Sequence, residues 1–121
     1  GMDVFSFSVT DVVKSIQSYL KNTNKTNDAF DFIALHQANK FMIDKIGKKV
    51  GFSEDEILYS IQSYGNTSNA SIPISICNEW HKKEILSDKT ILACGFGIGL
   101  SWGVTNLHLK TNTYISPVLE I

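Results

Sequence analysis

Two polar side chains, His36 and Asn66, stand where α/β proteins commonly bind their ligands. His36 follows a short apolar segment at residues 30–35, and Asn66 follows a second one at residues 57–64. Because ligands of open α/β sheets collect at the carboxyl ends of the strands, both side chains are expected on one rim of one sheet. The residues alone leave simpler interpretations open, namely a structural histidine and an asparagine that caps a helix in a Gly-Asn turn.

Three glycines and two cysteines are the other candidates for chemistry. Gly95, Gly97 and Gly99 lack the spacing of a dinucleotide-binding loop, and they join strand to strand instead of strand to helix. They form either a tight turn or a turn that presents backbone N–H groups to an anionic oxygen. Cys77 and Cys94 lie in apolar segments, so they are predicted to be packed hydrophobic residues and not nucleophiles.

Composition and charge restrict the class of protein. The 121 residues suffice for one domain, and 43% hydrophobic with 19% charged residues is typical of a folded globular chain. A net charge of −1 argues against a nucleic-acid binder. All eleven basic residues are lysines, which excludes bidentate guanidinium recognition of phosphate or carboxylate. No apolar run approaches the roughly 20 residues that span a bilayer, and no signal-peptide pattern is found, so we expect a soluble, cytoplasmic protein with no membrane partner.

Hydrophobic periodicity predicts the element order β-α-β-α-β-α-β-β, an α/β layer with a mixed sheet. Helices cross between parallel strands, and a hairpin ends the sheet. The early part of the third helix is small or apolar on nearly every side, which is typical of a helix that is buried all round. The predicted strands are residues 3–7, 30–35, 57–64, 90–96 and 100–109, and the predicted helices are residues 8–20, 38–50 and 67–83.

Three motifs in this order closely resemble the C-terminal half of β-ketoacyl-acyl carrier protein synthase III. They are HQAN at residues 36–39, YGNTSNASIP at 64–73 and FGIGLSWG at 96–103. The resemblance implies one half of a thiolase-like fold, with the domain at residues 2–110 and a C-terminal extension at 111–121. In that fold the apolar third helix packs in the middle of the molecule, against the N-terminal half.

The resemblance also implies a reaction, the decarboxylative Claisen condensation of malonyl-carrier protein with an acyl thioester. His36 and Asn66 match the two side chains that hydrogen-bond the malonyl thioester carbonyl and stabilise the enolate left by decarboxylation. The backbone N–H of Ile98 matches one donor of the oxyanion hole for the acyl-cysteine. Ile98 replaces a residue that is usually small, and its side chain is expected to narrow the acyl pocket.

Sites for the carrier substrates follow from the same resemblance. Asn39 matches a position near the pantetheine arm, and Lys48 and Lys49 match a basic pair that helps dock the acidic carrier protein. Another basic docking position is Phe41 in this chain, so the docking surface is only partly retained. The nucleophilic cysteine of the family belongs to the N-terminal half, and neither cysteine of this chain matches it.

We therefore expect the C-terminal domain of a synthase of this type, acting in fatty-acid or related biosynthesis and inactive without the N-terminal half. The alternative is a non-catalytic module that binds pantetheine or the carrier protein. The apolar third helix also predicts a homodimer, in which two copies cover this helix. The expected substrates are acyl-coenzyme A and malonyl-acyl carrier protein, with no cofactor and no metal.

Overall fold

Helices alternate with strands in the computed structural model, which describes residues 8–81, 85–97 and 101–119. A π-helical turn (Ser8–Val12) continues into α1 (Val13–Asn22), and then come β1 (Phe32–Leu35), α2 (Lys40–Val50), α3 (Ile61–Tyr64), α4 (Ser71–Trp80), β2 (Lys89–Gly97) and β3 (Ser101–Leu109). Short 3-10 turns lie at Asn27–Ala29, Glu54–Glu56 and Ser68–Ala70. None of the helices in these three ranges is both long enough and apolar enough to cross a membrane.

The sheet has the strand order β1-β2-β3 and is mixed. β1 and β2 are parallel, and Leu35 is in register with Cys94. β2 and β3 form an antiparallel hairpin, in which Gly97 is paired with Ser101. This arrangement confirms the mixed α/β sheet. The predicted strand at residues 3–7 lies outside the described residues.

Both faces of the sheet at β1 are covered by helices. Successive side chains of β1 point to opposite sides of the sheet, so they contact two different apolar clusters. Ile33 and Leu35 pack with α1 and α2 in one apolar cluster. Ala34 packs with Leu58 and with Trp80 of α4 in a second cluster. The sheet therefore lies between two helical layers, and its carboxyl end remains open between them.

The second predicted helix is present as α2, two residues shorter than expected. Its apolar stripe includes the buried residues Ile43 and Ile46, at the spacing of one helix face. The side chain of Asn39 caps the helix by accepting a hydrogen bond from the Met42 N–H at 2.9 Å. Gly51 ends it with a φ of +108°, a left-handed conformation that favours glycine.

The predicted strand at residues 57–64 is wrong beyond its first residue. Ile57 forms one isolated parallel bridge to β1, after which the chain leaves the sheet and turns into the short helix α3. The reason is the buried side chain of Gln37, whose Oε1 accepts hydrogen bonds from the backbone N–H groups of Ser60 and Ile61 at 2.9 and 3.2 Å. These donors are therefore satisfied by an amide side chain and not by a neighbouring strand.

The third predicted helix is present as α4, preceded by a 3-10 turn, and Pro73 lies in its first turn as expected. The part of the prediction at residues 82–83 lies outside the described residues. Contrary to the sequence prediction, the described residues do not bury α4 on every side. Ser71, Ser75 and Trp80 are buried, whereas Ile72 and Ile76 keep part of their surface exposed. A face of α4 is thus open to a further covering layer.

Candidate functional site

A cleft of about 790 Å³ lies at the carboxyl ends of β1 and β2. His36, Asn66 and the start of α4 line this cleft. Phe96, Trp102 and glycines of the hairpin also line it. The structure therefore brings together the two polar residues that the sequence placed on one rim.

His36 is held by one backbone contact and two contacts of its imidazole ring. The backbone N–H of His36 donates to the carbonyl of Cys94 at 3.0 Å, which extends the pairing of β1 with β2 by one residue. Its ring meets the ring of Phe96 edge to face, with the centroids 5.3 Å apart. Nδ1 lies 3.0 Å from Oγ of Ser71 at the start of α4. A ring held in this way presents a defined edge to the cleft.

Partial burial lowers the pKa of His36 below its usual value of 6.5, and a hydrogen bond with the backbone of Ser68 opposes this shift. The lowered pKa favours the neutral imidazole at pH 7. A neutral imidazole carries one N–H donor and one acceptor nitrogen, so it can donate a hydrogen bond to a carbonyl oxygen without bringing a charge.

The lowered pKa of His36 predicts a pH dependence of stability. The unfolded chain binds the proton more tightly, so the free energy of unfolding should decrease as the pH falls from 6.5 toward the folded-state pKa. Urea titrations at several pH values below and above 6.5 measure this slope. In His36→Gln the slope should be smaller over the same range, and equal slopes in the two proteins would contradict the prediction.

Asn66 lies at the exposed edge of the cleft, in a turn shaped by left-handed backbone conformations. Gly65 has a φ of +68° and Ser68 a φ of +56°. Oδ1 of Asn66 accepts a hydrogen bond from the Ser68 N–H at 2.9 Å. Because this bond engages the oxygen, the Nδ2 amide is the group that Asn66 can offer as a donor.

Among the remaining sequence-predicted positions, Asn39, Lys48 and Lys49 do not line the cleft. Asn39 is exposed, and its side-chain oxygen caps α2. Lys48 and Lys49 are exposed in the last turn of the same helix. Ile98, whose backbone N–H is the predicted oxyanion donor, lies outside the described residues.

The hydrogen bond by which Asn39 caps α2 predicts an effect on stability. This effect does not depend on any role of Asn39 in binding. Asn39→Ala should lower the free energy of unfolding by about 1 kcal/mol, because the Met42 N–H loses its partner. Asn39→Asp keeps a capping oxygen at the N-terminus of α2 and should stay within about 0.5 kcal/mol of the parent chain. Chemical denaturation measures both variants, and equal losses in the two would contradict the capping role.

Neither cysteine is placed as a nucleophile. Cys94 is buried in β2, and burial raises the pKa of its thiol to about 12. Cys77 is partly buried within α4 and does not line the cleft. The described residues contain no group of three His, Cys, Asp or Glu side chains that could hold a metal ion.

Two residues of the site were missed by the sequence reasoning, Ser71 and Gln37. Both are buried, with relative exposures of 1% and 0%. Gln37 directly follows His36 and stands before an amphipathic helix, which offers little local signal. The available signal for Ser71 was a small polar residue in the first turn of an otherwise apolar helix.

The fold and the cleft define an α/β domain of the thiolase-like condensing enzymes. The family model for the C-terminal region of 3-oxoacyl-[acyl-carrier-protein] synthase III matches residues 20–109. The chain belongs to this family.

Relatives and solved structures agree with this family. The chain is 43% identical over 105 residues to a β-ketoacyl-[acyl-carrier-protein] synthase III of Streptococcus uberis, a match that covers 85% of this chain and 32% of the relative. Its fold matches that of a 3-oxoacyl-(acyl-carrier protein) synthase from Burkholderia xenovorans with a TM-score of 0.87 and 30% identity, over 98% of this chain and 34% of that one. The chain thus spans about a third of the length of the proteins it matches.

A third similar protein acts in polyketide biosynthesis. The priming β-ketosynthase of the R1128 polyketide biosynthetic pathway matches with a TM-score of 0.82 and 28% identity, over 93% of this chain and 34% of that one. The similarity therefore extends to a synthase of polyketide biosynthesis.

Proposed function

We propose that this chain supplies the decarboxylation half of a ketoacyl synthase III active site. The observation that carries the proposal is the position of His36 and Asn66, two neutral side chains on the rim of one cleft. Both can offer an N–H group to a single oxygen atom. Two such donors are what a thioester carbonyl needs when negative charge develops on it.

The proposed step uses this pair as an oxyanion hole. The malonyl thioester loses carbon dioxide, and the electron pair of the broken C–C bond forms an enolate whose charge lies on the thioester oxygen. The two N–H groups stabilise this oxygen, and the enolate carbon attacks the acyl-cysteine carbonyl. The cysteine thiolate leaves, and the products are a β-ketoacyl-carrier protein, carbon dioxide and the free cysteine.

The carrier substrate is proposed to reach the cleft along α2. Lys48 and Lys49 are exposed on this helix and can contact an acidic carrier protein. The Asn39 side chain lies at the start of the same helix, where its amide nitrogen can contact the pantetheine arm. Phe41, with 62% of its surface exposed, replaces a basic contact on this surface.

The nucleophile is proposed to come from an N-terminal half that this chain does not contain. The chain spans about a third of its relatives, and Cys94 is too deeply buried to take up an acyl group. The chain alone should therefore be inactive. The open face of α4 is the surface that such a half would cover, and in its absence a second copy of the chain can cover it to form a homodimer.

A chimera tests the proposal. The matching C-terminal third of the Streptococcus uberis relative is replaced by this chain, and the formation of β-ketoacyl product is measured from acyl-coenzyme A and malonyl-carrier protein. The chimera should make product, and the chain alone should make none. A folded chimera that forms the acyl-enzyme but no product would overturn the proposal, as would product from the chain alone.

The same preparations examine the alternative of a non-catalytic binding module. Holo-carrier protein is titrated against the chain alone and against the chimera. Binding to both, together with an acylated but unproductive chimera, would favour the binding module over the synthase.

A further inference from the structure

The hydroxyl of Ser71 connects His36 to a buried polar residue behind the cleft. Ser71 is 1% exposed, and its Oγ lies 3.0 Å from Nδ1 of His36. The same oxygen accepts a hydrogen bond from the backbone N–H of Gln37 at 3.2 Å. The Ser71 hydroxyl therefore accepts a hydrogen bond from the Gln37 N–H and lies at hydrogen-bond distance from the His36 ring.

Gln37 is itself fixed by its side chain. Nε2 donates to the carbonyls of Leu35 and Leu58 at 2.9 and 3.3 Å. Oε1 accepts from the N–H groups of Ser60 and Ile61. With both amide hydrogens and both lone-pair directions of the oxygen engaged, the side chain of Gln37 is anchored on the residue whose backbone N–H donates to Ser71.

These contacts determine to which atom the hydroxyl of Ser71 donates its proton in a hydrogen bond. A serine oxygen that accepts an N–H still has its own proton to donate, and the ring nitrogen Nδ1 of His36 is at hydrogen-bond distance. A neutral imidazole that accepts at Nδ1 must carry its proton on Nε2. We propose that Ser71, oriented by the Gln37 N–H, holds His36 in the Nε2–H tautomer and is a positioning residue of this site.

The inference deepens the proposed function, since Nε2–H would be the donor offered to the thioester oxygen. The tautomer itself does not depend on that function. A hydrogen bond between the His36 ring and the Ser68 backbone also acts on the ring, because it favours a protonated nitrogen. The outcome is therefore a measurable ratio of two tautomers.

Nitrogen-15 NMR of the complete chain measures this ratio without substrate. The chain has three histidines, and His36→Gln identifies the signals of His36. Above the pKa of His36, the long-range couplings should show mainly the Nε2–H form. In Ser71→Ala the ratio of Nε2–H to Nδ1–H should fall by about fivefold, which corresponds to the net worth of one hydrogen bond. Ser71→Cys, which keeps a weaker donor, should lie between the two.

Ser60→Ala is the matched control. Ser60 is also 1% exposed, but its Oγ has no hydrogen-bond partner among the described residues, so the ratio should not change. A parent chain with the Nδ1–H form would overturn the proposal. So would an unchanged ratio in Ser71→Ala, or in Ser71→Cys should the alanine variant not fold. Because no substrate enters the measurement, none of these results depends on whether the chimera is active.

Discussion

Asn66→Ala in the chimera should lower the rate of condensation by about 10²–10³-fold, the usual loss when one donor of an oxyanion hole is removed. The variant removes the Nδ2 amide, so the enolate oxygen keeps only the donor from His36. The transfer of the acyl group to the cysteine should be unchanged, because that step does not use Asn66. Single-turnover measurements of acylation and of condensation separate the two steps.

Two further variants sharpen this test of Asn66. Asn66→Asp keeps the oxygen that accepts a hydrogen bond from the Ser68 N–H. It replaces the amide nitrogen with a second oxygen, whose negative charge repels the charge that develops on the enolate oxygen. Its condensation rate should be at most that of the alanine variant. Gln62→Ala removes an exposed amide side chain from the neighbouring helix α3 and should leave both steps unchanged. Equal acylation and condensation losses in Asn66→Ala would exclude the oxyanion role.

Gln37→Leu should lower the free energy of unfolding by about 2–6 kcal/mol. Leucine cannot accept from the N–H groups of Ser60 and Ile61, and each buried donor left without a partner costs about 1–3 kcal/mol. The hydrogen bonds to two backbone carbonyls are lost as well. Urea denaturation of the chain, followed by far-ultraviolet circular dichroism, measures the change.

Ser60→Ala is the control for this prediction also. It removes a buried hydroxyl that has no partner among the described residues, so its free energy of unfolding should stay within about 0.5 kcal/mol of the parent chain or rise. A Gln37→Leu variant as stable as Ser60→Ala would show that the amide side chain does not hold α3 in place.

Asn66 depends on the same hydrogen bonds, although it is far from Gln37 in sequence. Gln37 holds the first residue of α3, and Gly65, which follows the end of α3 at Tyr64, directly precedes Asn66. The backbone N–H of Gln37 also holds Ser71, which contacts His36. One buried amide residue thus connects the supports of both candidate donors.

Much of the fold could be predicted from local patterns. The stripe of Ile43 and Ile46 and the left-handed Gly51 define α2 within a few residues, because they act on their own helix. The apolar segments of β1 and β2 were also found, since strands buried on both faces consist almost entirely of apolar residues. Segment 57–64 has the same local pattern but bends away after Ile57, because the N–H groups of Ser60 and Ile61 bond to the side chain of Gln37, more than twenty residues earlier.

The sequence by itself determined the family, the order of α1, β1, α2, α4, β2 and β3, and the two residue types at the rim of the cleft. These depend on residue identity and short-range periodicity, which a single chain displays directly. Only the tertiary structure decided that Ser71 lies against His36, that Gln37 holds α3, and that one face of α4 stays open. Such contacts join residues distant in the chain, and their hydrogen bonds depend on distances of a few ångströms that no local pattern specifies.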